Sequence, residues 1–300
     1  MSADVVLDVS RVMDSFTPEQ NQMLDQWAEQ IQGLLTTAIS QGGPAAQRVK
    51  NWLNGVGLGH ALHPALTDVP IGAWFTGSLL DVVGAHREAD AAMTIGVLGA
   101  IPTALAGAAD WADTSEEPRR IGLIHALLNS GGLALIIASL FARRGNQRGL
   151  GIGLSTLGLS LATVSAWLGG ELVYRFGTNV SRIAFEPRIE DFLKVASADA
   201  LVPGKLVAAE AEIDGVKVPL ALLKKGRSVV AISGTCPHWG GPLAEGKLLE
   251  VEGDTVVECP WHASQFRMSS GAVCQGPAAT PVNVFEARIR NGNVEVRRKR

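Results

Sequence analysis

Hydrophobic positions along the chain change their spacing twice. In the first fifty or so residues they recur at three- and four-residue steps: Met23, Trp27, Ile31, Leu34, Leu35 and Ala38. After the Gly42-Gly43-Pro44 break, Val49, Trp52 and Leu53 continue the pattern. That period belongs to amphipathic helices. Thr17-Pro18-Glu19 reads as a helix start, a capping residue with proline in the first turn. From 69 to 176 the polar positions thin out, leaving apolar stretches at 69–85, 89–111, 121–142 and 149–174. A hydrocarbon core takes about 20 helical residues to cross, so the last three are long enough and the first is marginal. Gly96, Gly99, Gly107, Gly131, Gly132, Gly151, Gly153 and Gly158 lie within them. Small residues at such spacings let helices approach closely in lipid. From Asp191 the period drops to two, in runs at 192–196, 205–213, 216–223, 228–233, 255–259, 282–289 and 293–297. Asp214-Gly215, Gly253-Asp254 and Asn291-Gly292 fit hairpin turns between them.

The pattern predicts a multi-domain chain, an all-α four-helix transmembrane bundle followed by a small all-β domain. Its expected parts are surface or interfacial helices over 1–60, the membrane domain over 61–178, a linker over 179–190 and the β domain over 191–300. Composition agrees: 47% of residues are hydrophobic and 18% charged, with a mean hydropathy of +0.19. A net charge of −3 gives no case for a nucleic-acid partner. The opening M-S-A-D-V-V-L-D-V-S lacks a basic region and a long apolar run, so no signal peptide is expected. Arg48, Lys50, Arg119, Arg120, Arg175, Arg182 and Arg188 fall on the side that holds both termini. Arg87, Arg143, Arg144 and Arg148 fall on the other. Seven basic residues against four favour an inner-membrane, multi-pass protein with its termini and β domain in the cytoplasm.

Chemistry concentrates in the β domain. Cys236-x-His238 and Cys259-x-x-His262 each place one thiolate and one imidazole in a short loop. Two Cys and two His suit an iron–sulfur centre in which His replaces Cys on one iron. A tetrahedral zinc site is the alternative, but zinc fingers group their two Cys and their two His separately. Gly240, Gly241, Pro242 and Pro260 are the residues that let loop backbone come close to a cluster. Cys274 remains over and is expected as a small buried hydrophobe, which excludes a disulfide framework.

Cys236-Pro237-His238 and Cys259-Pro260-Trp261-His262 resemble the two boxes of the Rieske [2Fe–2S] domain. Gly276-Pro277-Ala278-Ala279-Thr280-Pro281-Val282 is similar to the proline loop that covers the cluster in that family. The resemblance spans about residues 190–298. It implies that Cys236 and Cys259 hold the inner iron, that His238 and His262 hold the outer one, and that Ser264 donates a hydrogen bond to the cluster. High-potential members follow this serine with a tyrosine, where this chain has Phe266. Ala263 departs from the family's usual glycine. His63-Pro64-Ala65-Leu66, with Asp68, Pro70, Ile71 and Gly72, resembles a bacterial four-helix membrane family found fused to Rieske modules.

In the membrane half His63, Asp110, His125 and Glu171 are expected near one face of the bundle, the face that carries the β domain. Ionisable groups in spans are costly and point to function. The reading is a redox-partner site, with haem b between His63 and His125 or a quinone handled by a His and a carboxylate. Helix capping and interfacial pairing are the structural alternative. The chain is thus expected to pass single electrons between a cytoplasmic redox partner protein and the membrane domain in a lipid bilayer. A membrane redox sensor, a structural partner subunit and the ferredoxin component of an oxygenase system stay as alternatives. A self-contained oxygenase is not expected, because no further domain follows to supply a mononuclear iron site.

Overall fold

The computed structural model describes residues 22–299; the expected helix start at Thr17 lies outside them. Six α-helices come first: α1 (Gln22–Gln41), α2 (Gly43–Leu53), α3 (His63–Val82), α4 (His86–Trp111), α5 (Glu116–Arg144) and α6 (Arg148–Tyr174). Ten strands follow: β1 (Leu193–Ser197), β2 (Leu206–Ile213), β3 (Val216–Lys225), β4 (Ser228–Ser233), β5 (Lys247–Val251), β6 (Asp254–Glu258), β7 (Gln265–Arg267), β8 (Val273–Gln275), β9 (Val284–Arg290) and β10 (Asn293–Arg298). The chain forms two compact units. Among the described residues, one takes 22–46 and His63–Thr178, and the other takes Gln47–Leu62 with 179–299.

Three helices of the first unit, α4, α5 and α6, are long and apolar enough to cross a membrane. The sequence pattern favours four spans. Helix α3 has 20 residues but carries Asp68, Asp81 and several hydroxyl groups, which lower its hydropathy. Outward positions are large and apolar, among them Phe75, Leu98, Ile101 and Phe141, whereas Trp74, Met93, Ile136 and Ala162 form the interior. Helix α1 is turned the opposite way from a helix on a soluble core. Asp25 pairs with Arg120 at 2.8 Å, Glu29 with Arg119 at 2.6 Å, and Gln32 Nε2 donates to the carbonyls of Trp111 and Thr114. Met23, Trp27 and Leu34 stay exposed.

Helices α3–α4 and α5–α6 are two hairpins with one design. Each packs closely within itself and more loosely against the other. Pro70, Trp74, Gly77 and Asp81 are buried on α3, and the residues 62 positions on, Gly132, Ile136, Ser139 and Arg143, are buried on α5. On α4 the buried Ala89, Met93, Gly96, Ala100, Thr103 and Ala106 find the same counterparts in Gly151, Ser155, Gly158, Ala162, Ser165 and Leu168 of α6. Glycine is needed at both of one such pair. A Cβ on Gly96 would fall 2.2 Å from the Trp74 indole, and one on Gly158 would fall 3.1 Å from Ile136 and 2.7 Å from the Gly132 carbonyl. At one end of the repeat Arg143 makes a two-pronged ion pair with Asp81, at 2.6 and 3.0 Å, and reaches Asp90 at 3.0 Å. Arg148 also binds both aspartates. Residues read from sequence as loop-side positive charge are therefore consumed in a buried network.

The second unit is built on two antiparallel sheets, ordered β1-β10-β9-β4-β3-β2 and β5-β6-β7-β8. Alternation along β3 and β4 buries Val218, Leu220 and Ala231 on one face, and Ala221, Leu223 and Ile232 on the other. Strands β5, β7 and β8 go beyond the predicted runs, β7 and β8 being only three residues long. Residues 179–190, expected as a linker, are packed structure. Ile183 and Ile189 are buried, and Glu186 accepts from Ser233 Oγ and Asn283 Nδ2. Burial pushes the Glu186 carboxyl above its ordinary pKa, against the lowering pull of those hydrogen bonds. Residues 47–60, expected among the N-terminal surface helices, and residues 61–62, expected in the membrane domain, join this unit as well. Cys274, expected buried, is half-buried on the short strand β8.

Candidate metal centre

The two boxes are matching loops. Box one leaves β4, and the amide of Cys236 donates to the Gly241 carbonyl at 2.8 Å while Gly240 N returns a bond to the Cys236 carbonyl at 2.9 Å. Box two joins β6 to β7, and Cys259 N donates to the Ser264 carbonyl at 2.8 Å while Ala263 N bonds back to Cys259 at 3.1 Å. Residue four after each Cys must then turn left-handed. Gly240 does so at φ 85° and Ala263 at φ 56°. Glycine holds this conformation without cost, and other residues lose roughly 1–2 kcal/mol in it. Ala263→Gly is accordingly expected to stabilise the β unit by up to about 1 kcal/mol, once the greater entropy of the unfolded glycine is set against it. A denaturant midpoint that falls in this variant would contradict the account.

The four candidate ligands gather as two pairs. The Cys236 and Cys259 thiols touch, and their contact is the largest influence on both. It holds Cys259 down to about 6 and Cys236 well above the usual thiol range, so one thiol keeps the proton they share. Backbone amides of His238 and Trp239 face Cys236, and those of Trp261 and His262 face Cys259. Such donors favour thiolate, the form that binds metal. The His238 and His262 rings stand 5.0 Å apart between centroids, nearly perpendicular. Two imidazoles on one tetrahedral metal, at about 2.0–2.1 Å from each nitrogen, place their centroids roughly 5 Å apart. His238 Nδ1 is buried with no hydrogen-bond partner among the described residues, which is costly for a polar atom unless a metal takes its lone pair. Burial first, and then nearby His262, Lys50 and Arg182, lower the His238 pKa to about 3, keeping the ring neutral as a ligand must be. A Cys pair and a separate His pair fit a two-iron cluster.

Ser264 is fully buried behind box two, and its Oγ accepts from Ala278 N of the proline loop at 3.0 Å. The hydroxyl proton is thereby left to donate elsewhere. No motif or periodicity in residues 51–59 points to their leaning on the same loop. Asn51 Oδ1 accepts from Gly276 N at 3.1 Å, and Thr280 Oγ1 donates to the Gly59 carbonyl. A cavity of about 20 Å³, room for one water at most, is all that remains between Asn54, Ser181, His238 and Thr280. His238 is consequently only 6% exposed, while Trp261, next to the half-buried His262, is 56% exposed. The pairing of Val56 and Asn54 with Gly276 is long-range and has no periodic signal.

In the helical unit His63 and His125 do come together, with ring centroids 6.3 Å apart. His63 Nδ1 donates to the Thr103 carbonyl at 2.9 Å and His125 Nδ1 to the Ser165 carbonyl at 2.8 Å. Asn129 Nδ2 reaches His125 Nε2 at 3.1 Å. Glu171 faces Arg175 at 3.5 Å, one turn on. Asp110 lies near the C-terminal end of α4, beyond Gly107, which packs on the His63 ring.

Residues 191–286 match the Rieske [2Fe-2S] domain family, and residues 59–182 match the family described as predicted membrane protein (DUF2231). Ferredoxin CarAc of Metapseudomonas resinovorans is 34% identical over 106 residues, which are 35% of this chain and 92% of the relative. The 3-phenylpropionate/cinnamic acid dioxygenase ferredoxin subunit of Escherichia coli (strain K12) is 32% identical over 75 residues, 25% of this chain and 68% of the relative. The solved ferredoxin of carbazole 1,9a-dioxygenase from Nocardioides aromaticivorans IC177 is 28% identical, with a TM-score of 0.31, over 37% of this chain and 100% of its own. Such a domain implies a [2Fe–2S] cluster. Through its C-terminal domain the chain belongs to the Rieske [2Fe–2S] family, carried behind a membrane-protein domain of the DUF2231 family.

Proposed function

We propose that the protein is a membrane-anchored one-electron carrier, with Cys236 and Cys259 on the inner iron of its cluster and His238 and His262 on the outer. The observation that carries the reading is the pair of matching loops, which bring two thiols together on one side and two imidazoles together on the other. The bound cluster supplies a reversible one-electron couple. The chain's own part is to aim amide donors at the thiolates, to keep the His238 ring neutral, and to shut water away from that side with residues 51–59 and the proline loop. With His238 covered, a soluble partner meets the cluster on the side of His262 and Trp261. Helices α3–α6 form a four-helix domain in the inner membrane. The outward apolar positions support this, as does the exposed apolar side of α1, which suits an interfacial helix. The excess of basic residues on the side of the termini supports a cytoplasmic β unit. The membrane half holds the second redox group, haem or quinone, at His63 and His125; Asp110 and Glu171, expected with them, do not join the pair among the described residues. Relatives named as ferredoxins support a carrier over a self-contained catalyst, and the one named as a dioxygenase ferredoxin subunit supplies the second reading, a ferredoxin for an oxygenase.

The test is electron paramagnetic resonance of the full chain in detergent. The reduced protein should give the low-g signal of a His-ligated cluster, and His238→Ala or His262→Ala should abolish it. Full iron and acid-labile sulfide in a Cys236→Ser/Cys259→Ser double variant would refute the ligand set. Reoxidation of the reduced cluster by added quinone or by an oxygenase separates the two readings.

A further inference from the structure

The His63–His125 pair belongs to the internal repeat of the helical unit. His63 and His125 are 62 residues apart, as are their carbonyl partners Thr103 and Ser165 and the glycines packed on the rings, Gly107 and Gly169. A Cβ on Gly107 would sit 2.8 Å from the His63 ring, and one on Gly169 would sit 3.2 Å from the His125 ring. Each imidazole is thus set by the same two devices, a carbonyl on the hairpin's second helix and a missing side chain one turn further along it. Carbonyl oxygens only accept, so both Nδ1 atoms carry protons and both Nε2 atoms are lone-pair donors. A backbone carbonyl on one ring nitrogen is the arrangement that orients histidine ligands and makes the other nitrogen more basic. The contact from Asn129 Nδ2 to His125 Nε2 agrees with that tautomer, since an amide N–H needs a lone pair to bind.

The separation of the rings says what they are spaced for. The cluster histidines, at 5.0 Å, match two ligands at a tetrahedral angle. The membrane pair, at 6.3 Å, matches two imidazoles on opposite sides of one metal, which at about 2.0–2.1 Å per bond lie roughly 6 Å apart. A bare ion with trans imidazoles needs further ligands, and among the described residues no third His, Cys, Asp or Glu joins the pair. A porphyrin brings four nitrogens of its own and asks the protein only for axial ligands.

We infer that His63 and His125 are the two axial ligands, through Nε2, of one haem iron held between the two hairpins. The inference rests on the reading of the chain as an electron carrier and names the second redox group. One electron given up by the reduced cluster reduces ferric haem iron to ferrous, with no bond made or broken.

The experiment titrates iron protoporphyrin IX into the full chain in detergent, with the reduced-cluster signal recorded in every sample. One equivalent should bind, giving a Soret band and the low-spin ferric signal of bis-imidazole ligation. His63→Ala and His125→Ala should each lose that low-spin signal while keeping the cluster signal. His125→Gly should regain it on addition of free imidazole, which a variant that had merely unfolded would not do. Asn129→Leu, which removes only the competing donor, should keep it. No Soret band at one equivalent in wild type, or an unchanged low-spin signal in the His63→Ala/His125→Ala double variant, overturns the inference. So does a haem-free protein whose cluster is reduced by quinol in wild type and not in the two single variants, an outcome that assigns the pair to a quinone. Absence of the cluster signal from wild type would instead overturn the electron-carrier reading beneath it.

Discussion

Arg143→Leu should destabilise the helical unit by about 3–5 kcal/mol, the cost of stranding a buried charge. The Arg143 side chain is 1% exposed and its partner Asp81 is 3% exposed. Arg148 would keep one oxygen of Asp81, but it is itself 25% exposed and already holds Asp90. Asp81→Leu should cost a similar amount by leaving the Arg143 guanidinium with the half-exposed Asp90 as its remaining carboxylate, beside the Ser139 and Ser155 hydroxyls. The decisive variant is Asp81→Leu/Arg143→Leu. Removing both charges removes the desolvation penalty with the attraction, so the pair should be closer to wild type than either single change. Melting midpoints of the four proteins in one detergent make the cycle. Additive losses would mean that the two side chains do not act as a pair.

Ser264→Ala should lower the midpoint potential of the cluster by roughly 40–90 mV, the one-electron equivalent of a hydrogen bond worth about 1–2 kcal/mol. The sign follows from charge. The reduced cluster is the more negative state, so a hydroxyl that donates to it favours reduction, and losing the donor favours oxidation. Ser264 Oγ takes the Ala278 amide as its donor and has a proton to spare. Phe266, fully buried in the core beneath the boxes, has no hydroxyl to add. Wild type is therefore expected in the lower part of the span of about −150 to +300 mV open to these centres. The same change strands Ala278 N and should cost about 1–3 kcal/mol of stability. Dye-coupled titration reads the first effect and denaturant unfolding the second. A potential that rises would remove Ser264 from the cluster's donors.

The candidate ligands were legible because metal chemistry demands particular side chains at short spacings, and Cys236, His238, Cys259 and His262 stand within 27 residues. Period two found seven of the strands; it missed β7 and β8 because three residues are too few to show an alternation, and it missed β5, whose Lys247-Leu248-Leu249-Glu250-Val251 does not alternate. His63 and His125 were legible as a pair through their cost in an apolar setting. The Asp81–Arg143 pair was not, since Arg143 ends an apolar stretch and looks like an interfacial anchor. Residues 47–62 were misplaced for a related reason. Their helical period says that one face is covered and nothing about by what, and the covering contacts to Gly276 and Thr280 lie more than 200 residues away. The packed stretch 179–190 has no period at all; Glu186 is held by Ser233 and Asn283, partners that no local pattern names.

The repeat of the helical hairpin sets a limit on how the unit can be divided. At the matched positions the two halves bury mostly uncharged residues, but Asp81 in the first answers to Arg143 in the second. Two copies of the first hairpin, paired as the halves are paired now, would bring carboxylate to carboxylate at that end; two copies of the second would bring guanidinium to guanidinium. Like charges so placed repel. Severed hairpins should consequently refuse to pair with their own kind and recombine only with each other, so that the covalent link in this chain enforces a one-to-one stoichiometry that charge has already chosen.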